Sequence, residues 1–128
     1  MNPDRNIQDF LAEAEDILET ANRTLLLLET GVALGGCDPD LVNALFRAVH
    51  SFKGLAGMFG LKEPADCSHR LESLLDELRL GKVPLNREVL DVLSETVSLL
   101  GRLVQQAGAR QPAEDITPAE AGLSRFVD

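Results

Sequence analysis

Residues 48 to 61 read AVHSFKGLAGMFGL, and the period assigned to them decides the fold. Read as a helix, they put Ala48, Phe52 and Phe59 on one side, because each residue advances about 100 degrees. His50 then lies about 140 to 200 degrees from Leu45 and Phe52 and points away from the core. Gly54 and Gly57, at i+4 and i+7, share the face of His50, and Lys53 stands at i+3. A glycine inside a helix costs about 1 kcal/mol relative to alanine, so two of them beside one imidazole need a reason.

On either side of this stretch the apolar residues repeat with a helical period. Ile7, Phe10, Leu11, Ala14, Ile17, Leu18, Ala21, Leu25 and Leu28 form one stripe on a first helix of about six turns, expected to stop at Gly31. Asp38 as N-cap and Pro39 at the first helical position open a second helix. It runs from about Pro39 to Phe59, with Gly60 as its stop and Leu41, Leu45, Ala48, Phe52 and Phe59 as its buried stripe. Pro64 reopens the chain, and Leu71, Leu74, Leu75 and Leu78 mark a third helix ending at Gly81. Asn86 caps a fourth, whose inner face is Val89, Leu93, Thr96, Leu100, Leu103 and Ala107.

After Gly108 the residues GARQPAEDITP read as an exposed linker, and TPAE at 117–120 reads as a capping box, Thr117 to Glu120, opening a short fifth helix. No alternating apolar pattern is present. The expected class is therefore all-α: an up-down four-helix bundle over residues 1–107, with a linker and short C-terminal helix over 108–128.

Composition narrows the function. A chain of 128 residues is one domain with room for one core. Its net charge is −9, from 21 acidic and 12 basic residues, which argues against a nucleic-acid or anionic-membrane surface. Five Phe with no Trp or Tyr make a base-stacking platform improbable. No apolar run approaches the roughly 18 residues of a membrane span, and MNPDRNIQDF lacks a secretion signal, so the cytoplasm is the expected compartment. Cys37 and Cys67 are expected to be free thiols. Another protein is the expected partner.

The helix face around His50 has a physical use. Bare glycine backbone lets something bulky approach, and an ordinary imidazole is largely neutral near pH 7 and nucleophilic. A phosphoryl group arriving there would meet open space and the Lys53 cation. On the third helix, in CSHRLESLLDEL, His69, Glu72 and Asp76 share a face distinct from the leucine stripe. If the second and third helices are antiparallel neighbours, a carboxylate from that face can reach His50. A hydrogen bond to Glu72 would hold one ring nitrogen as N–H and leave the other free to attack.

AVHSFKGLAGMFGL followed by SHRLESLLDEL resembles the histidine phosphotransfer domain, in particular the N-terminal domain of chemotaxis-type histidine kinases. The shared pattern is H-S-x-K-G-x-x-x-x-F-G and then H-x-x-E, and the resemblance covers roughly Ile7 to Ala107. It implies that His50 is the phosphorylation site, with Lys53 and Gly54 beside it, and that His69 and Glu72 hydrogen-bond and polarise the ring. It also implies that a separate kinase domain supplies the phosphoryl group from ATP, and that an aspartate on a response-regulator receiver removes it with Mg²⁺. No cofactor is then expected on this domain, which alone would be a phosphoacceptor without catalytic machinery, although the linker near its end suggests the front of a longer kinase; whether the chain counts as an enzyme is left open. A freestanding phosphotransfer protein is the near alternative. Phe52 and Leu55 depart from the residues common in the family, which bears on the shape of the docking face. Phe46 and Met58, bordering His50, are candidates for receiver recognition.

Plainer readings stand beside these. The bundle could be a scaffold in which His50 is incidental and Gly54 and Gly57 serve close helix packing. Cys67, His69 and Glu72 could suggest a metal or redox bundle, though no second cluster completes a ligand set. Leu25 to Leu28 read as core or helix-end contact with an exposed part open to dimerisation. Glu13, Asp16 and Glu19 read as a solvated face.

Overall fold

The computed structural model describes the backbone of residues 3–127 and the side chains of residues 6–127. The chain forms five helices: α1 (Pro3–Ala33), α2 (Pro39–Met58), α3 (Lys62–Arg79), α4 (Arg87–Gly108) and α5 (Thr117–Ser124). Helices α1 to α4 close a ring in which each packs on its chain neighbours and α1 packs on α4, while α5 lies across α3 and α4. This is the all-α up-down bundle with an added C-terminal helix that the apolar periods predict.

The helix ends follow local chemistry, and two of them correct the sequence reading. Helix α1 passes through Gly31 and continues to Ala33. Its closure comes later, where Gly35 takes φ 87°, its N–H donates to the Val32 carbonyl at 3.0 Å, and the Gly36 N–H donates to the Gly31 carbonyl at 2.8 Å. A glycine stops a helix by adopting the left-handed conformation, and Gly35 does this while Gly31 stays helical. The other correction is at α5. Ile116 precedes the helix, the Thr117 N–H donates to Asp115 Oδ1 at 2.9 Å, and the Glu120 carboxylate accepts from Arg70 Nε at 2.6 Å. An acidic side chain offered a guanidinium forms the stronger charge-assisted bond, so the expected Thr117–Glu120 box does not form.

Elsewhere the caps match their residues. Asp38 accepts from the Asp40 N–H at 2.9 Å at the start of α2, and Asn86 accepts from the Val89 N–H at 3.0 Å at the start of α4. Pro64 sits in the first turn of α3, where no intrahelical donor is needed. The connection from 109 to 116 is mostly exposed, but Glu114 ties it down by accepting from Arg102 Nε at 2.9 Å and from Gln106 Nε2 at 2.9 Å.

Phe10, Leu45, Phe52, Leu71, Leu74, Leu75, Leu93 and Leu100 are fully buried at the centre. The inner stripe of α2 is wider than predicted: Val42, Val49, Leu55 and Ala56 join the core, whereas Leu41 and Phe59 are half-buried. Phe59 still packs on Phe10, with ring centroids 5.2 Å apart. Leu25 and Leu28 enter the core and Leu26 and Leu27 face outward. The buried hydroxyls of Ser68 and Thr96 donate to carbonyls one turn earlier, Pro64 at 2.7 Å and Val92 at 2.7 Å, so they sit in the core without an orphaned polar atom. Among the described residues no helix is long and apolar enough to cross a membrane.

Asn86→Ala is expected to lower the unfolding free energy by about 1 kcal/mol, read as a shifted midpoint in urea with unchanged slope, because it removes the side-chain acceptor that caps the α4 start.

Candidate functional site

The site is built across the α2–α3 seam. Burial of the apolar stripe of α2 turns His50 outward, leaving 62% of its side chain exposed. Burial of Leu71, Leu74 and Leu75 on α3 turns Glu72 toward α2, where only 17% of its side chain remains exposed. The two meet with His50 Nδ1 3.0 Å from Glu72 Oε2. Lys53, one turn beyond His50, lies against the same carboxylate, with Nζ 3.1 Å from Oε1 and 3.0 Å from Oε2.

These contacts fix the protonation of the pair. Partial burial pushes the Glu72 carboxyl up, but the hydrogen bonds from His50 and Lys53, with the Lys53 charge, outweigh it and hold the pKa below the ordinary glutamate value. Glu72 is therefore ionised at neutral pH and can only accept. The bridging nitrogen of a neutral His50 must then carry its proton, so Nδ1 is N–H and the in-plane lone pair resides on Nε2.

The far side of His50 is open. A Cβ built on Gly54 or Gly57 would meet no atom within 4 Å. Close helix packing is thereby excluded as the reason for either glycine, since among the described residues nothing packs there. On the other flank, one turn before His50, the Phe46 ring lies 8° from parallel to the imidazole with centroids 6.2 Å apart. Arg79 places its guanidinium carbon 4.2 Å from the centre of the Phe46 ring, and Asp76 holds Arg79 Nη2 at 2.8 Å.

Of the residues singled out in the sequence, His50, Lys53, Gly54 and Glu72 come together. His69 stands apart: it is exposed and lines a groove between α3 and α5 with Arg70, Ser73 and Glu120. Among the described residues no hydrogen bond or ion pair joins its imidazole to His50 or Glu72. Asp76 shares the face of Glu72, as its spacing predicts, but pairs with Arg79 instead of reaching His50. Sequence reasoning missed Arg79, although its position seven residues beyond Glu72 puts it on that same face. Cys67 is buried, and burial first, then the Glu120 charge, pushes its thiol up to about 12. Among the described residues no three His, Cys, Asp or Glu side chains converge as metal ligands.

The family model described as Hpt domain matches residues 5–110. The chain is 38% identical over 109 residues to "Chemotaxis protein CheA" of Cereibacter sphaeroides, covering 85% of this chain and 16% of that relative's length. Among solved structures it resembles "Solution Structure of Histidine Phosphotransfer Domain of CheA" with a TM-score of 0.82 and 28% identity, over 96% of this chain and 92% of that one. It also resembles the phosphorylated P1 domain of CheA3 in complex with CheY6 from R. sphaeroides, with a TM-score of 0.80 and 25% identity, over 95% and 92% of the two chains.

Because its native pKa is depressed, Glu72 contributes stability that is full above the ordinary glutamate value of about 4.3 and is lost as pH falls through the lower native value. The wild type is expected to unfold at higher temperature than Glu72→Gln at pH 7, and scanning calorimetry from pH 7 toward pH 3 is expected to show the two converging.

Proposed function

The chain belongs to the Hpt domain family, and from that premise we propose that it is a phosphocarrier of chemotaxis-type two-component signalling. His50 accepts a phosphoryl group from an ATP-dependent histidine kinase domain and passes it to an aspartate of a response-regulator receiver. The observation that carries this reading is an imidazole tied at Nδ1 to an ionised Glu72 at 3.0 Å, beside two glycines with open space above them. The relative named as a chemotaxis protein supports the signalling context, and the neighbour in complex with CheY6 supports a receiver as partner.

In the first step the Nε2 lone pair attacks the γ-phosphorus of ATP. The N–P bond forms as the bond from phosphorus to the ADP oxygen breaks, and the Nδ1 proton stays on the bond to Glu72. Lys53 keeps Glu72 ionised and adds a cation beside the ring that the incoming phosphoryl oxygens meet. Gly54 and Gly57 leave room for the donor and then for the receiver. In the second step the receiver's aspartate attacks the same phosphorus and the imidazole leaves. His69, in the groove between α3 and α5, does not orient the ring.

The domain holds no nucleotide of its own in this reading: ATP and Mg²⁺ belong to the kinase and receiver domains, and the cytoplasm is the compartment. The half-buried Phe46 and the exposed Met58 flank the acceptor and form the apolar part of the receiver's docking surface.

Incubation with a chemotaxis-type kinase catalytic domain, Mg²⁺ and ATP is expected to add one phosphate to the intact mass of the wild type and none to His50→Gln, and mild acid is expected to remove it. No gain with several such kinases would overturn the reading. Gly54→Leu is expected to fold at least as stably as the wild type, since helix propensity rises and nothing is displaced, yet to accept phosphate at least about tenfold more slowly because the approach is filled.

A further inference from the structure

We propose that Arg79 is a positioning residue for the His50 imidazole, acting through Phe46 and held in place by Asp76; the inference rests on His50 being the phosphoacceptor. The hydrogen bond to Glu72 fixes one atom of the ring. A ring held at one edge still turns about that point through its side-chain torsions, and with 62% of the side chain exposed there is little packing to stop it.

The missing restraint comes from the face of the ring. Phe46 lies one turn earlier on α2 and its ring is 8° from parallel to the imidazole at 6.2 Å between centroids, within the range of offset aromatic pairs. Phe46 itself is half-buried against the core, which leaves part of its ring to be covered by other groups. Arg79 reaches across from the last turn of α3 and lays its guanidinium 4.2 Å from the Phe46 ring centre, while Asp76 anchors that guanidinium at 2.8 Å. The carboxylate fixes the cation, the cation fixes the phenyl ring, and the phenyl ring fixes the plane of the imidazole.

The direction of this clamp fits the rest of the site. It closes the flank of His50 toward the start of α2, whereas the flank toward Gly54 and Gly57 is open. A ring walled on one side and bare on the other is approached from one direction. The planar guanidinium matters here, because a lysine ammonium is a point charge that cannot lie flat on the phenyl face.

A small phosphodonor separates positioning from partner docking. Phosphoramidate phosphorylates imidazole directly: the Nε2–P bond forms as the P–N bond breaks and ammonia leaves. With it, Arg79→Ala and Phe46→Ala are each expected to slow phosphorylation of His50 about threefold to tenfold. The double variant is expected to be no slower than Phe46→Ala alone, because Arg79 acts through that ring. Arg79→Lys is expected to recover part of the rate, Asp76→Asn to lose part of it, and His69 on the same molecule to react unchanged. Arg79 and Asp76 are 39% and 44% exposed, so the Arg79 and Asp76 variants are expected to keep the wild-type unfolding midpoint within a few degrees. Arg79→Ala reacting with phosphoramidate at the wild-type rate would overturn the proposal, and a loss seen only with the kinase domain would overturn it in favour of a partner contact. Wild-type His50 taking phosphate from neither donor would overturn the phosphoacceptor reading itself.

Discussion

The arrangement depends on the register of α2 against α3. Both helices bury an apolar stripe against the same core, Leu45, Phe52 and Ala56 from one and Leu71, Leu74 and Leu75 from the other. Once those stripes are buried, neither helix is free to turn about its axis, and residues just off the stripe must face each other across the seam. Glu72 and His50 are such residues. Their 3.0 Å contact is a product of core packing far more than of their own attraction, since one hydrogen bond to a charged group contributes only about 1.5–3 kcal/mol net.

That division of labour explains what the surface of α2 can tolerate. The core supplies enough cohesion for the helix to carry two glycines with nothing above them, each forgoing about 1 kcal/mol of helix propensity. Glu72 is drawn partly out of water, a cost offset by the Lys53 ammonium across both carboxylate oxygens and by the imidazole N–H. Arg79 and Asp76 extend the same seam by two turns along α3 and reach the ring through Phe46. The acceptor is thus exposed for reaction and restrained from two sides by groups that the bundle positions.

Much of this was legible in the sequence because it follows from period. The stripe from Phe10 to Leu28, the Asp38–Pro39 start and the Asn86 cap are local signals, and the structure honours each. The meeting of His50, Lys53 and Glu72 was legible given the motif, because a helical face plus an antiparallel neighbour determines it. Competition was less visible. Gly31 and Gly35 are both plausible stops, and only the backbone closure around Val32 and Gly36 decides between them. Glu120 could cap its own helix or reach Arg70, fifty positions away, and the guanidinium wins. His69 shares a motif with Glu72 but lies one turn off the seam, beside α5, a helix whose placement no local pattern encodes. Arg79 was missed for the same reason: its partner is an aromatic face on another helix.

The bond from His50 Nδ1 to Glu72 also has a thermodynamic side. A carboxylate that draws on the imidazole proton enriches the opposite nitrogen, which makes it quicker to take phosphorus and also slower to let it go. A carrier must do both, so its acceptor cannot be held too tightly. An oxygen shared between the imidazole and the Lys53 ammonium, at 3.0 Å from each, is a weaker acceptor than one devoted to the ring alone. On the proposed reading, the ammonium tempers the pull of Glu72 on the imidazole proton and so limits how firmly the ring would hold phosphorus once it has taken it.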